Sequence, residues 1–322
     1  MKTKKDAKSK GTILIADYDF GDVNIERAII EGAGFEILAA QCKSEDEVIE
    51  HGREADGVLA QYAPIGARAI NAFTRCRVIA RYGTGVDIVD VDAATRRGIQ
   101  VTNAPNEWCA EEVADHAVAL WLAATRKICE YDRAVRRGEW RWQTGHPIWR
   151  IRGRVFGLVS FGAIARSIAE RVRPFGVDIW AYDPFLDPTD MQQQNVRAVS
   201  FDRLIEAADY LVIQAPLTPE TRHLFNRVTL RRMKPTAILI NTARGPIVED
   251  ASQRHHHTAR RILLGGLDWR RAPDRSRRGR TCVERPSRPL ACQHDRCLST
   301  PAWILARLSP FGGDGTHCPT GV

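Results

Sequence analysis

The sequence predicts an α/β protein with parallel sheets, divided into two domains. Short apolar stretches with strand character alternate with segments of helical spacing, and the connections between them are short. One stretch, 152–184, reads as strand, tight turn, helix and strand, which is the layout of a βαβ unit. The 322 residues are enough for two separate hydrophobic cores.

The first half of the chain repeats the strand–helix alternation. Ser44 is expected to cap the second helix, because Glu47 follows at the capping-box spacing. The predicted strands are 12–16, 35–39, 57–61, 78–80 and 99–102, and the predicted helices are 23–33, one beginning at Ser44, 67–73 and 91–97.

A long helix, 111–126, separates the two halves and is expected to be buried because it is apolar nearly all round. His116 within it is interpreted as a packed core residue, and a connecting segment, 133–149, follows. The later predictions are strands 155–159, 177–182, 210–214 and 237–241, helices 164–174, 204–208 and 229–233, and a helix start at 218–221.

The turn of the βαβ unit resembles the fingerprint G-x-G-x-x-G. Here it reads Ser160-Phe-Gly162-Ala163-Ile164-Ala165, so the middle glycine is kept and the first is serine. In this layout the turn and the helix N-terminus bring N–H groups to a pyrophosphate, and an acid about 20 positions on, here Asp183, accepts from the ribose. The alternative is an ordinary βαβ unit that binds nothing.

Composition excludes several classes of protein. No apolar run approaches the roughly 20 residues of a membrane span. The basic start, MKTKKDAKSKG, lacks an apolar region behind it, and the eight cysteines show no framework spacing. We therefore expect a cytoplasmic protein with reduced thiols and no membrane association.

At this point the chain resembles the D-isomer-specific 2-hydroxyacid dehydrogenases, which include phosphoglycerate dehydrogenase and the C-terminal-binding protein corepressors. The resemblance runs from about residue 12 to about residue 250. It rests on motifs in the same order: RYGTGVD at 81–87, NAP at 103–105 before EVAD at 112–115, GLVSFGAIA at 157–165, YDP at 182–184, APLTPET at 215–221 and NTARG at 241–245.

The resemblance implies a fold of two Rossmann-like domains: a flavodoxin-like substrate domain and an NAD-binding Rossmann domain. Their expected bounds are 11–103 and 104–285, and 286–322 would be a degenerate remnant of the segment returning to the substrate domain, poorly ordered. It also implies NAD as cofactor, a small 2-hydroxy or 2-oxo acid as substrate, no metal, and a homodimer.

The resemblance also assigns roles to residues. Arg244 would be the catalytic guanidinium, which holds the carboxylate and polarises the carbonyl. The substrate would be bound by Arg81 and by the backbone of Gly83, Thr84 and Gly85. The cofactor would be bound by Ser160, Gly162, Ala163, Ile164, Asp183, Ala215, Pro216, Thr221, Thr242, Ala243, Arg244 and Asp268.

Each role has a plainer alternative. Arg244 could be a surface ion-pair residue, Asp183 could cap the turn before Pro184, and Gly83 and Gly85 could serve only their turn.

Beyond residue 250 the sequence departs from the family pattern. Ala272 stands where an acid before proline is expected, and Ala302 follows Pro301 where the proton-transferring histidine is expected. The excess charge also lies here: residues 251–322 hold 13 Arg, no Lys and five acids, which accounts for the whole net charge of +8.

We hypothesise a change of reading frame near residue 250, in the gene or as a sequencing error. The switch in charge and the crowding of Arg, Pro and Cys motivate it, and codons for 301–304 read one base later permit the expected Pro-His. Sequencing the coding DNA tests it: an intact frame without an alternative dehydrogenase-like product removes the hypothesis.

Two other interpretations of this segment are weaker. Arg270 to Arg280 could contact nucleic acid phosphates, but the segment lacks interleaved aromatic residues, so nucleic acid is not the expected partner. Cys292, His294 and Cys297, with His317 and Cys318, match no zinc spacing that we can justify.

The sequence therefore predicts an NAD-dependent 2-hydroxyacid dehydrogenase by ancestry, whose turnover is impaired by loss of the catalytic His and Glu. The alternative is a non-catalytic, NAD-binding interaction protein similar to the corepressor branch.

Overall fold

The computed structural model describes residues 9–105, 107–249 and the strand at 261–264. These residues form two compact units, one ending at Pro105 and one that follows it. Both units are α/β with all-parallel sheets, which confirms the predicted fold class. The predictions for the C-terminal remnant lie outside the described residues.

The first unit is built on a five-stranded parallel sheet of order β2-β1-β3-β4-β5. This is the flavodoxin-like strand order. Its strands are β1 (Thr12–Ile15), β2 (Glu36–Ala39), β3 (Gly57–Ala60), β4 (Val78–Arg81) and β5 (Gln100–Thr102), and its helices are α1 (Asn24–Gly32), α2 (Glu45–Gly52), α3 (Ala67–Ala72) and α4 (Val91–Arg96).

The central strands of this sheet are apolar on both faces because helices cover both faces. In β1, Ile13 and Ile15 pack into one core cluster, while Leu14 packs into the cluster on the opposite side. Side chains that alternate along a strand thus fill two layers. Ser44 caps α2 by accepting from the Glu47 N–H at 3.3 Å, as predicted, whereas Glu47 accepts from the N–H of Lys43.

The second unit holds a six-stranded parallel sheet of order β11-β10-β9-β6-β7-β8. When the strands are numbered from β6 as strand 1 and read from β8 to β11, this is the Rossmann order 3-2-1-4-5-6. Its strands are β6 (Val155–Val159), β7 (Asp178–Tyr182), β8 (Arg197–Ala198), β9 (Tyr210–Ile213), β10 (Ile238–Asn241) and β11 (Arg261–Leu264), and its helices are α5 (Glu107–Thr125), α6 (Ile128–Arg136), α7 (Ala163–Val172), α8 (Pro188–Gln193), α9 (Phe201–Ala207) and α10 (Arg227–Arg232).

An aromatic cluster lies at the centre of the core of this unit. Trp121 of α5 is fully buried and packs edge-to-face on Phe156 at 5.1 Å and on Tyr210 at 5.5 Å. Gly157, next to Phe156, allows the opposite face of β6 to approach α9, since a Cβ there would lie 2.6 Å from Leu211 and 2.9 Å from Leu204. The strand at the centre of the sheet is therefore closely packed on both faces.

Several local predictions were wrong. His116 is exposed, because α5 turns a polar face with Glu112 and Asp115 outward. The segment predicted as a connection, 133–149, contains the last four residues of α6, a helix that buries only Ala134. The stretch 218–221 forms a turn, because the Thr218 and Thr221 side chains accept each other's backbone N–H groups.

Candidate functional site

The predicted cofactor residues of the second unit collect at one edge of its sheet. Each of the parallel strands β6, β7, β9 and β10 ends at that edge, and each is followed by residues of the predicted set. The chain passes from β6 to β7 on one side and returns to β9 on the other, so the switch in strand order lies beside β6. In open α/β sheets a ligand binds outside the carboxyl ends of the strands at such a switch point.

The turn after β6 is held in an unusual backbone conformation. Ser160 has a φ of 74°, in the left-handed region that favours glycine. Its N–H donates to the Tyr182 carbonyl at 2.8 Å, which ties the turn to the end of β7. The left-handed φ at position 160 therefore explains why the fingerprint has glycine there.

The turn leads directly into the N-terminus of α7. Gly162 is its N-cap residue, and no side chain caps the helix there. A Cβ built on Gly162 would meet nothing within 4 Å, so the backbone is open on that side. Uncapped N–H groups and the positive end of the helix dipole suit a phosphate, so Gly162, Ala163 and Ile164 fit the pyrophosphate of a dinucleotide.

Asp183 follows β7 and lies against the same turn. Its Oδ2 accepts from the Phe161 N–H at 2.9 Å and from the Ser160 hydroxyl at 3.2 Å, and its Oδ1 accepts from the Phe185 N–H at 2.9 Å. The structure therefore places the carboxylate at the carboxyl end of β7, against the turn that leads into α7, where it also caps its own turn.

The loops after β9 and β10 are held together by side chains at the strand ends. Gln214 Nε2 donates to the Thr242 hydroxyl at 2.5 Å. Thr221 donates to the Pro216 carbonyl at 2.6 Å, which folds the loop containing Ala215 and Pro216 back on itself. Thr221, predicted to line the cofactor's path, thus shapes that loop.

Arg244 lies in the turn after β10, which Asn241 organises. Asn241 is 3% exposed, its Oδ1 accepts from the Ala243 N–H at 3.0 Å, and its Nδ2 donates to the Arg244 carbonyl at 2.9 Å. The half-buried Arg244 donates from Nη1 to the Ala243 carbonyl at 3.0 Å. Asp268, the remaining predicted cofactor residue, lies outside the described residues.

The predicted substrate residues lie in the first unit, at the carboxyl end of β4. Arg81 is 6% exposed and its guanidinium donates to the carbonyl oxygens of Gly85 and Gln61. A Cβ on Gly83 would lie 2.6 Å from that guanidinium, so the loop passes closely over the end of the Arg81 side chain. The backbone of Thr84 is anchored by Asn103, whose Nδ2 donates to the Thr84 carbonyl at 2.6 Å. Arg81 therefore shapes the glycine loop.

Three residues at this edge of the second sheet were missed by sequence reasoning: Gln214, Asn241 and Phe185. Gln214 and Asn241 are polar residues at the ends of buried strands, a position that could have identified them. Phe185 is 92% exposed and lies two residues after Asp183, to which it donates its N–H, and its signal was an aromatic residue soon after the acid.

The described ranges offer neither a candidate metal site nor a candidate membrane span. They contain no group of three or more His, Cys, Asp or Glu side chains that could hold a metal ion. None of their helices is long and apolar enough to cross a membrane.

Known proteins match the chain in sequence and in structure. The family model of the D-isomer specific 2-hydroxyacid dehydrogenase, NAD binding domain, matches residues 118–301, and so continues beyond residue 250. A D-3-phosphoglycerate dehydrogenase of Mycobacterium bovis is 36% identical over 224 residues, 69% of this chain but only 42% of that relative. A glyoxylate reductase of Thermococcus kodakarensis is 35% identical over 244 residues, 70% of this chain and 73% of that relative.

A solved structure supports the same grouping. The NAD-dependent formate dehydrogenase of Staphylococcus aureus, in complex with NAD, superposes with a TM-score of 0.66 at 30% identity, over 75% of this chain and 76% of that one. The strand order, the open turn before α7 and these matches lead to one conclusion. The chain belongs to the D-isomer-specific 2-hydroxyacid dehydrogenase family and carries its NAD-binding domain.

Proposed function

We propose that the protein transfers hydride between NAD(H) and a small 2-hydroxy or 2-oxo acid. The observation that carries this proposal is the joint placement of the open α7 turn, Asp183 and Arg244 at the carboxyl edge of one Rossmann sheet. The nicotinamide of the cofactor supplies or accepts the hydride. The remaining steps fall to the protein's own side chains.

Arg244 is the group that would engage the substrate. A planar guanidinium donates two parallel hydrogen bonds to a carboxylate and can also polarise a neighbouring carbonyl. Asn241 fixes the backbone on both sides of Arg244, which limits the positions that the guanidinium can reach. Within the first unit, the N–H groups of the loop containing Gly83, Thr84 and Gly85 would donate to the substrate carboxylate.

Proton transfer is the step for which the chain lacks a suitable side chain at the expected positions. The sequence carries Ala272 and Ala302 at the positions expected for the acid and the histidine. Loss of a general acid–base group typically slows a reaction by about 10²–10⁴-fold. We therefore expect slow turnover. The alternative, a non-catalytic NAD-binding interaction protein, gains no support from the relatives reported above.

Fluorescence of NADH tests the proposal on the full chain. Adding glyoxylate, pyruvate or hydroxypyruvate should give NADH oxidation above the protein-free rate. Arg244→Gln should lower that oxidation by about 10²-fold or more while leaving NADH binding intact, because one transition-state donor is lost. Saturable NADH binding with no oxidation by any of the acids would contradict the enzyme and favour the interaction protein.

The proposed homodimer rests on an exposed apolar surface of the second unit, the tryptophan surface, formed by side chains of residues 128–149. Its members are Ile128, Val135, Trp140, Trp142 and Trp149, exposed by 55%, 49%, 88%, 67% and 49%. Exposed apolar side chains mark association sites in soluble proteins when they form one patch. A second copy of the chain is the occupant that the family resemblance implies.

A cytoplasmic location remains a proposal. It is supported by two buried cysteines of the described residues, which are free thiols that burial keeps protonated. Burial raises the pKa of Cys42 to about 11 and that of Cys76 to about 12. Thiols of this kind are inert packing groups.

A further inference from the structure

We propose that the Ser160 hydroxyl competes with the adenosine ribose for the Asp183 carboxylate and thereby weakens dinucleotide binding. The inference rests on the proposed function, because it concerns the same cofactor site. The fingerprint has glycine at position 160. The inference gives the Ser160 side chain a role in setting cofactor affinity.

Ser160 occupies a backbone position that a serine adopts only at a cost. Its φ of 74° is left-handed, and its N–H is bonded to the Tyr182 carbonyl at 2.8 Å, so the residue cannot relax without breaking the turn from β7. This backbone anchor directs the side chain toward Asp183, where the hydroxyl lies 3.2 Å from Oδ2. Strain of this kind at a ligand site points to function more often than elsewhere.

The Asp183 carboxylate is nearly saturated by the protein itself. A carboxylate has two oxygens with about four acceptor sites in all. Oδ2 accepts from the Ser160 hydroxyl and from the Phe161 N–H, and Oδ1 accepts from the Phe185 N–H. Oδ2 is therefore filled, and Oδ1 has one acceptor site left.

A ribose presents two adjacent hydroxyl groups, and a bidentate contact with Asp183 needs an acceptor site on each oxygen. The Phe161 and Phe185 N–H groups belong to the backbone of the turns and cannot leave without unfolding them. The Ser160 hydroxyl turns about a single side-chain bond, so it is the donor that can withdraw. Binding of the ribose therefore displaces the Ser160 hydrogen bond.

The cost of this exchange is one hydrogen bond, which at 3.2 Å is a long one. A typical net value for one hydrogen bond corresponds to about 3- to 10-fold in affinity. The penalty applies only to ligands whose ribose hydroxyl must reach Asp183. A ligand that lacks the 2′-hydroxyl leaves the Ser160 bond undisturbed and escapes the penalty.

Two variants separate the hydroxyl from the backbone strain. Ser160→Ala removes the hydroxyl and keeps the Cβ, whereas Ser160→Gly removes the hydroxyl and also relieves the left-handed strain. Both are expected to bind NADH more tightly than wild type, by about 3- to 10-fold for the alanine variant. The probes are NADH itself, followed by fluorescence, and ADP or 2′-deoxy-ADP added as competitors.

The ratio of the Kd for 2′-deoxy-ADP to the Kd for ADP is the decisive readout, because it cancels any general loosening of the turn. We expect this ratio to rise in Ser160→Ala and Ser160→Gly. We also expect Ser160→Ala to have no effect on NADH binding in an Asp183→Ala background. An unchanged or lower ratio, or weaker NADH binding by Ser160→Ala, would overturn the inference, since the hydroxyl would then be neutral or a ribose ligand. Absence of NADH binding in wild type would overturn the proposed function itself and this inference with it.

Discussion

At the residue scale, Asp209 lies at the start of three strands of the second sheet, β6, β9 and β10, and bonds them together. It is 6% exposed and lies 3.0 Å from Arg154 and 3.0 Å from Lys234, and it accepts from the Val155 N–H at 3.0 Å. Burial alone would raise the pKa of this carboxyl, but the hydrogen bonds from Val155, Lys234 and Arg154 outweigh burial and lower it. Asp209 is therefore a charged group that stabilises the folded state.

We expect Asp209→Asn to lower the free energy of unfolding by about 2 kcal/mol at neutral pH, because two cations lose their partner. Since the folded pKa is lowered, the contribution is complete above the unfolded pKa of about 3.9 and disappears as the pH falls through the folded value. Urea unfolding at several pH values checks this. Glu206→Gln, which breaks an exposed pair with Arg232, is the control and should cost about 0.5 kcal/mol. An equal effect of both variants would contradict the role of Asp209.

At the element scale, the β6–α7 segment contains two glycines with opposite surroundings. Gly157 lies within β6 under Leu204 and Leu211, whereas Gly162 begins α7 beside open space. Gly162→Ala should leave the free energy of unfolding within about 0.5 kcal/mol of wild type. The same variant should weaken NADH binding by about tenfold or more, because its Cβ would occupy the pyrophosphate's position.

Gly157→Val provides the matched contrast. Overpacking of a filled core costs about 1–3 kcal/mol, so this variant should lose stability first and bind NADH normally while folded. Denaturant unfolding and NADH titration on both variants check the pair. Unchanged NADH affinity in Gly162→Ala would contradict the placement of the cofactor at this turn.

The elements show which features the sequence could predict. Strands β1, β3, β6, β9 and β10 were found because strands buried on both faces appear as continuous apolar runs. The sequence analysis missed α8, which buries only Met191 and has no apolar stripe. It also missed α6, whose apolar residues Ile128 and Val135 are exposed while only Ala134 is buried.

Part of the candidate site, like part of the fold, could be predicted from the sequence. Gly162, Asp183 and Arg244 follow strands and carry recognisable motifs. The donors that surround Asp183, and the role of Arg81 beneath the glycine loop, depend on contacts between residues 20 or more positions apart, or on the local path of the backbone. A linear motif carries no information about such contacts.

At the scale of the whole molecule, the tryptophan surface makes the association state a testable property. Trp140 is 88% exposed, so Trp140→Glu should not disturb the fold of the second unit. It should convert a dimer into a monomer, because a charge placed in an apolar interface is left without a partner. Sedimentation at several concentrations measures this, with Phe185→Glu, also exposed and outside this surface, as the control. A wild-type chain that is monomeric at every concentration would contradict the proposal.

The central claim is that the carboxyl edge of the second sheet holds NAD. Titration of the full chain with NADH, followed by fluorescence, tests it most directly. Saturable binding is expected, with a Kd between about 1 μM and 1 mM, the usual span for enzyme ligands. NADPH should bind more weakly, because Asp183 repels a 2′-phosphate. No saturation by NADH up to several millimolar, or a preference for NADPH, would contradict the claim.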